Sequence, residues 1–162
     1  MATPTTLPNS WTAGDILTAA SLNNLRGAFR IMQVVYGSTT TETVSTSATY
    51  ATTTLSASIT PAFTSSKVLI IANVHVSSNA ASQFTGLRIY DGASAILTNS
   101  RAFMQGAAGD FGCMNSLVYL DSPNTTSAKT YTIEFARVNG AGNSIVQSNS
   151  NPSTIILAEV SA

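Results

Sequence analysis

The sequence predicts an all-β protein, an antiparallel jelly-roll-like β-sandwich preceded by a short N-terminal extended arm and helix. Three observations support this prediction. From residue 30 onward, apolar and polar residues alternate with a period of two, as in half-buried strands. The strand candidates are short and separated by turn signals, with no helical pattern between them. Serine and threonine exceed a quarter of the chain and only 9% of residues are charged, so hydroxyl-bearing strand faces must cover much of the surface.

The first 29 residues lack this alternation. Residues 1–10 contain two prolines and several threonines, which favour an extended arm without packing of its own. Thr12–Asp15 is a turn signal, and a short helix with Thr18 as its N-cap is predicted to follow. A helix this short is not stable alone, so it must dock on the rest of the chain or on another protein. The candidate attachment residues are the apolar side chains Trp11, Ile16, Leu17, Leu22, Leu25 and Phe29.

The chain is therefore expected to form two domains, an attachment arm with a short helix (1–29) and a β-sandwich knob (30–162). Within the knob, Asp91-Gly92 predicts a tight hairpin, because this dipeptide suits the positive φ angles of such turns. Alternation and turn residues together place the strands at 30–36, 42–44, 51–59, 67–77, 86–90, 95–97, 113–120, 129–138 and 154–160.

The segment 67–77 shows the clearest alternation. One face is wholly apolar, whereas the other changes from Leu69 and Ile71 to Asn73 and His75. The apolar end of this second face is expected to be covered by another subunit or by the N-terminal arm. The residues of the wholly apolar face are Val68, Ile70, Ala72, Val74 and Val76.

Composition and motifs argue against an enzyme. His75 is the only histidine, and no nucleophile, base and orienting group share a recognisable spacing, so no catalytic residue is assigned. No paired His/Cys spacing predicts a metal site, and the glycine-rich stretch 106–112 lacks the Lys-Ser/Thr of a phosphate loop, so no cofactor is expected. Cys113 sits among apolar residues and is predicted to be a buried, inert thiol.

Charge and hydropathy restrict the partners. Seven basic and seven acidic residues cancel, so no long-range field attracts nucleic acid. No apolar run is long enough for membrane insertion, and the first residues lack the pattern of a signal peptide. Low net charge with a mildly hydrophobic average favours association, so stable oligomerisation is expected. The candidate contact loops are 105–110 and 139–149, with Gln105, Asp110, Asn139 and Asn143 as candidate receptor-facing residues.

Three segments carry a resemblance to a known group of proteins. They are Trp11–Asn23, the pair Ser58–Pro61 and Ser65–Ile70, and Ser153–Val160. In this order they resemble small structural proteins of tailed bacteriophages, of the tail-fibre or virion-decoration type. The resemblance implies a noncatalytic protein of the virion surface, made in the cytoplasm of the bacterial host.

The resemblance also implies a knob similar to trimeric jelly-roll fibre heads. Such a homotrimer would be carried by an N-terminal arm that binds other virion proteins. A short tail fibre or receptor-binding tip, whose loops touch host surface glycans, is slightly favoured over a capsid decoration protein (a cement or head-fibre protein), although the absence of a shaft favours decoration. A carbohydrate-binding β-sandwich module is the second alternative. Its usual mark is a row of exposed aromatics, for which the candidates are Tyr36, Tyr50, Phe84, Tyr90 and Phe103.

Overall fold

The computed structural model describes residues 31–105 and 111–161. The arm residues from Trp11 to Phe29 and the loop residue Asp110 lie outside these ranges. In the described part of the chain the strands are β1 (Ile31–Thr39), β2 (Thr43–Ser45), β3 (Ala51–Ile59), β4 (Lys67–Ser78), β5 (Gln83–Tyr90), β6 (Ala95–Gln105), β7 (Phe111–Asp121), β8 (Lys129–Asn139), β9 (Ser144–Val146) and β10 (Ser153–Val160), with a 3-10 turn at Ser148–Ser150.

The strands form two antiparallel sheets. One has the order β3-β8-β5-β6. The other has β1, β10, β4 and β7 side by side, because β4 pairs with both β10 and β7. Successive long strands alternate between the two sheets, except that β5 and β6 pair with each other within one sheet. This strand order is that of an eight-stranded jelly roll, so the predicted sandwich is confirmed.

The short strands β2 and β9 extend the second sheet at one end. β7 pairs with β4 along its whole length, so β9 and β10 must both lie on the opposite side of β4. β9 therefore continues the line of β10, and β2, which pairs with β9, continues the line of β1. The sheet remains four strands wide, but two of its lines are interrupted.

The core lies between the two sheets and is made by the predicted inward faces. All five apolar residues of the β4 inner face are fully buried. Facing them from β8 are Tyr131, Ile133 and Phe135, which are also fully buried. Each such side chain contributes about 1.5–3 kcal/mol relative to an exposed one, so the alternation in these two strands accounts for much of the stability.

A buried carboxylate closes the end of the sandwich where β4 begins. Glu159 accepts hydrogen bonds from Gln33 Nε2 at 2.6 Å and from the Ala62 backbone amide at 2.7 Å. Burial alone would raise the pKa of Glu159, but the hydrogen bonds donated to its carboxylate hold the pKa below its usual value. The side chain thus ties the β3–β4 connection to β10.

The Asp91-Gly92 turn is confirmed as the hairpin between β5 and β6. Gly92 has φ +89°, and the Asp91 amide donates to the Ser94 carbonyl at 3.0 Å. Asp91 Oδ1 accepts the Ala93 and Ser94 amides at 2.8 and 2.7 Å, and Asp91 Oδ2 lies 2.7 Å from Lys129 Nζ. Burial alone would raise the pKa of Asp91, but Lys129 and the two backbone amides lower it to about 2.

We expect the Asp91→Asn variant to lower the free energy of unfolding by about 1–2 kcal/mol at neutral pH, since the ion pair with Lys129 is lost. The folded-state pKa of Asp91 is depressed, so its contribution is present above the ordinary value of 3.8 and disappears as pH falls towards about 2. Urea unfolding of both proteins over this range measures the difference. A difference that stays constant down to about pH 2 would contradict the assignment.

Two expectations are wrong. Cys113 is exposed, because it lies on β7, an edge strand whose first four residues are all exposed. The segment 139–149 is not one exposed loop, because Ser144–Ser148 forms β9 and the start of the 3-10 turn and is mostly buried. Ser144 Oγ lies 2.6 Å from Thr85 Oγ1 and 3.1 Å from Gln83 Nε2, so hydrogen bonds compensate for its burial.

Candidate functional site

The outer face of the β1-β10-β4-β7 sheet carries a continuous apolar surface. The register places two rows of residues side by side across all four strands, a width of about 15 Å. The first row is Val34, Ala158, Leu69 and Leu120, and the second is Tyr36, Ile156, Ile71 and Val118. We call these eight residues the apolar face.

The edge strands leave the apolar face open to solvent. Val34 is 60% exposed, Tyr36 63% and Val118 59%. At the end where β1 begins, Ile31 and Met32 are also exposed and extend the surface beside Val160. Monomeric proteins seldom expose contiguous apolar areas of this kind, which are typical of interaction sites.

The apolar face ends at a row of polar residues. In this row Ser116 Oγ donates a hydrogen bond to Asn73 Oδ1. The sequence of β4 predicts this change from apolar to polar residues, between Ile71 and Asn73. The strand register shows that the neighbouring strands change from apolar to polar at the same level. The full row is Ser38, Thr154, Asn73 and Ser116.

The outer face of the opposite sheet is mostly polar. Its β3 edge presents Ser58, whose hydroxyl lies 2.6 Å from Thr130 Oγ1 of β8. Near its centre Arg88 of β5 forms an ion pair with Glu134 of β8. Hydroxyls lose nothing by facing water, and the charge of the largely buried Glu134 is paired with Arg88, so this side of the sandwich needs no partner. The two outer faces therefore differ in chemistry.

The candidate aromatics do not form a row. Tyr36 belongs to the apolar face and Phe103 is buried in the core. The Arg88 guanidinium lies 4.5 Å from the ring centroid of Tyr50 and 5.9 Å from that of Tyr90. The ring of Phe84 similarly carries the Arg101 guanidinium at 4.7 Å. A cation over one face of a ring competes with a sugar for that face, which weighs against the carbohydrate-binding module.

Three of the four candidate loop residues, Gln105, Asn139 and Asn143, lie at the other end of the sandwich from Glu159. Gln105 is the last residue of β6 and Asn139 the last residue of β8. Asn143 immediately precedes β9, and its backbone amide donates to Asn79 Oδ1 at 2.9 Å. Sequence reasoning missed the neighbouring residues Ser144–Ser148, because polar side chains buried by hydrogen bonding leave no hydrophobic alternation.

Chemistry-bearing side chains are dispersed in residues 31–105 and 111–161. No three His, Cys, Asp or Glu side chains are grouped there as metal ligands would be. Nor does this part contain a helix with the length and apolar character needed to cross a membrane. His75 Nδ1 lies 3.5 Å from Ser148 Oγ, the outer limit of a hydrogen bond, and burial lowers its pKa.

No protein-family model and no curated protein matches this sequence. Among solved structures, the chain is similar to the D431N mutant VP2 protein of infectious bursal disease virus, with 15% identity and a TM-score of 0.42 over 82% of this chain and 37% of that chain. It is also similar to the VP2 subviral particle of the same virus, with 15% identity and a TM-score of 0.42 over 82% of this chain and 38% of that one.

A third similar structure is the cyanophage Pam1 capsid asymmetric unit, with 14% identity and a TM-score of 0.35 over 93% of this chain and 98% of that chain. In contrast to this third structure, the VP2 proteins are much longer, and the chain spans well under half of their length. Its architecture is established by its own strand order and register.

Proposed function

We propose that this chain is a noncatalytic structural protein of the bacteriophage virion surface, an oligomeric knob whose subunits associate through the apolar face. The observation that carries the proposal is the exposure of that face across four strands, opposite a polar outer face. Copies of the chain are the proposed cover, because the surface is self-complementary in chemistry and the net charge of zero offers no repulsion.

Burial of this face would stabilise an assembly substantially. Val34, Tyr36, Val118 and Leu120 are each about half exposed or more. Covering them removes apolar area from water at about 25 cal/mol per Å², and the face offers no charged group that would lose its hydration. We propose a homotrimer, the state implied by the sequence resemblance to fibre heads, in which three apolar faces meet around a common axis.

The proposed attachment element is the arm, residues 1–29. Its role rests on the resemblance of Trp11–Asn23 to the attachment segments of tailed-phage structural proteins. The described chain begins at Ile31, beside the exposed apolar end of β1. The arm would therefore bind the particle near this end of the knob, with the opposite end directed outward.

We favour a short tail fibre or receptor-binding tip over a capsid decoration protein, because the resemblance includes an attachment segment followed directly by a knob. Cryo-electron microscopy of purified particles tests this position. A few copies at the tail would support the fibre assignment, whereas many copies on the icosahedral shell would support decoration. Absence of the protein from purified particles would overturn the proposed function itself.

A further inference from the structure

A polar cavity lies on the same sheet as the apolar face but beyond the row containing Asn73. Its volume is about 360 Å³, within the range of small-molecule sites. Ile71 and Ser77 are six residues apart on β4, so the cavity lies about 20 Å from the centre of the apolar face. The lining of the cavity therefore shares no residue with the apolar face. Prominent among its lining residues are Glu42, His75, Asn79, Phe111, Asn149 and Asn151.

A close strand contact shapes one wall of the cavity. His75 on β4 lies beside Gly112 on β7, where a Cβ atom would sit only 2.9 Å from His75 Nε2. The glycine therefore allows the imidazole to lie against the β7 backbone. Next to it, Phe111 is 55% exposed and presents an apolar ring at the cavity.

The opposite wall is a strained turn between β9 and β10. Gln147, Asn149 and Ser150 have φ values of 55°, 54° and 58°, which cost non-glycine residues free energy. Hydrogen bonds hold Gln147 in this conformation, because its backbone amide donates to the His75 carbonyl at 3.1 Å and its Nε2 donates to Ser153 Oγ at 2.8 Å. Strain held by specific contacts indicates a preorganised site.

The lining combines amide groups, hydroxyls and one exposed aromatic ring. Asparagine side chains both donate and accept hydrogen bonds, which matches adjacent hydroxyl groups of a sugar, and a phenylalanine ring can cover the apolar face of a pyranose. Glu42 supplies a carboxylate and no lysine or arginine lines the described cavity, so an anionic ligand would be repelled. Burial lowers the pKa of His75, so it stays neutral near pH 7.

We infer that this cavity binds a neutral saccharide unit, held by the asparagine amides and Glu42 and stacked on Phe111. The inference rests on the proposed function. It specifies the class of ligand that the outward-facing end of the knob would bind. Two of the lining residues adjoin the candidate contact loops in sequence, since Phe111 directly follows residues 105–110 and Asn149 is the last of residues 139–149. A single site of this kind binds weakly, but an oligomer presents several copies of the site and so increases the overall avidity.

The test is nuclear magnetic resonance titration of the full-length protein with the methyl glycosides of glucose, galactose and N-acetylglucosamine, and with N-acetylneuraminic acid as an anionic probe. We expect at least one neutral glycoside to shift the amide signals of Gly112, Asn149 and Asn151 at about 10 mM, well above a millimolar dissociation constant. N-acetylneuraminic acid should leave these signals unchanged.

Phe111→Ala and Glu42→Gln should each weaken binding of that glycoside about tenfold. Phe63→Ala is the matched control, because Phe63 is similarly exposed but lies near the start of β4, remote from the cavity. Binding of the anionic probe alone, equal weakening by Phe63→Ala, or no shift with any sugar would overturn the inference. The sedimentation mass of the same sample reports separately on the proposed assembly, so the two failures are distinguishable.

Discussion

Replacing Val118 by glutamate is expected to convert the assembled protein into monomers. Val118 lies in the second row of the apolar face, is 59% exposed and neighbours Ile71 across the strand pair. In an assembly that covers this face, the new carboxylate would lose its hydration without gaining a partner, which costs several kcal/mol. We expect the dissociation constant of the assembly to rise by about 100-fold or more, as measured by sedimentation velocity at micromolar concentration.

The matched control is Val138→Glu. Val138 is also an exposed valine, at 38%, but it lies on β8 in the opposite sheet. This variant should keep the oligomeric mass of the unaltered protein. A monomeric mass for the unaltered protein, or equal dissociation of both variants, would show that the apolar face is not the self-association surface.

Deletion of residues 1–29 is expected to abolish incorporation into particles while the knob remains folded. The reason is that, within residues 31–105 and 111–161, the buried core cluster is formed by side chains between Leu55 and Leu157 that pack on one another, so the knob is expected to fold without the arm. Immunoblotting of purified particles measures incorporation. Circular dichroism and the thermal unfolding midpoint of the shortened protein measure folding, and both should match those of the full chain.

Point substitutions in the arm separate attachment from chain length. Leu22→Asn with Leu25→Asn replaces two of the apolar candidate attachment residues, whereas Asn23→Ala with Asn24→Ala changes two neighbouring polar residues that are not among them. Only the leucine pair should reduce incorporation. Normal incorporation of the shortened protein would show that the knob itself carries the attachment site.

Sequence patterns predicted the strands in which one face is mostly apolar. β3 has the predicted bounds and β4 is one residue longer than predicted. In contrast, β9 was missed, because Ser144 is buried through hydrogen bonds to Thr85 and Gln83 that lie far away in sequence. The solvent exposure of Cys113 also depends on tertiary structure, since an edge strand exposes residues that a central strand would bury.

The apolar face was only partly predictable. Leu69 and Ile71 indicated it within one strand, but Tyr36, Val118 and Ile156 join it through the register of three strand pairs. The cavity was not predictable, because its walls come from segments separated by up to about a hundred residues. His75 was noticed only as an isolated histidine, and nothing in its neighbourhood in sequence indicates Glu42 or Asn149.

The second sheet is interrupted between β1 and β2 and between β9 and β10. These breaks separate two regions of the molecule whose sequences can change independently. The apolar face lies on β1, β10 and one half of β4 and β7. The cavity is lined by the other ends of β4 and β7 together with residues of β9, the turn at Ser148–Ser150 and the segment before β2. Substitutions in these short segments leave the register of β1 with β10 intact. A lineage under pressure to recognise a new surface could therefore vary the exposed residues Glu42, Asn149 and Asn151, while the proposed contacts between subunits stay constant.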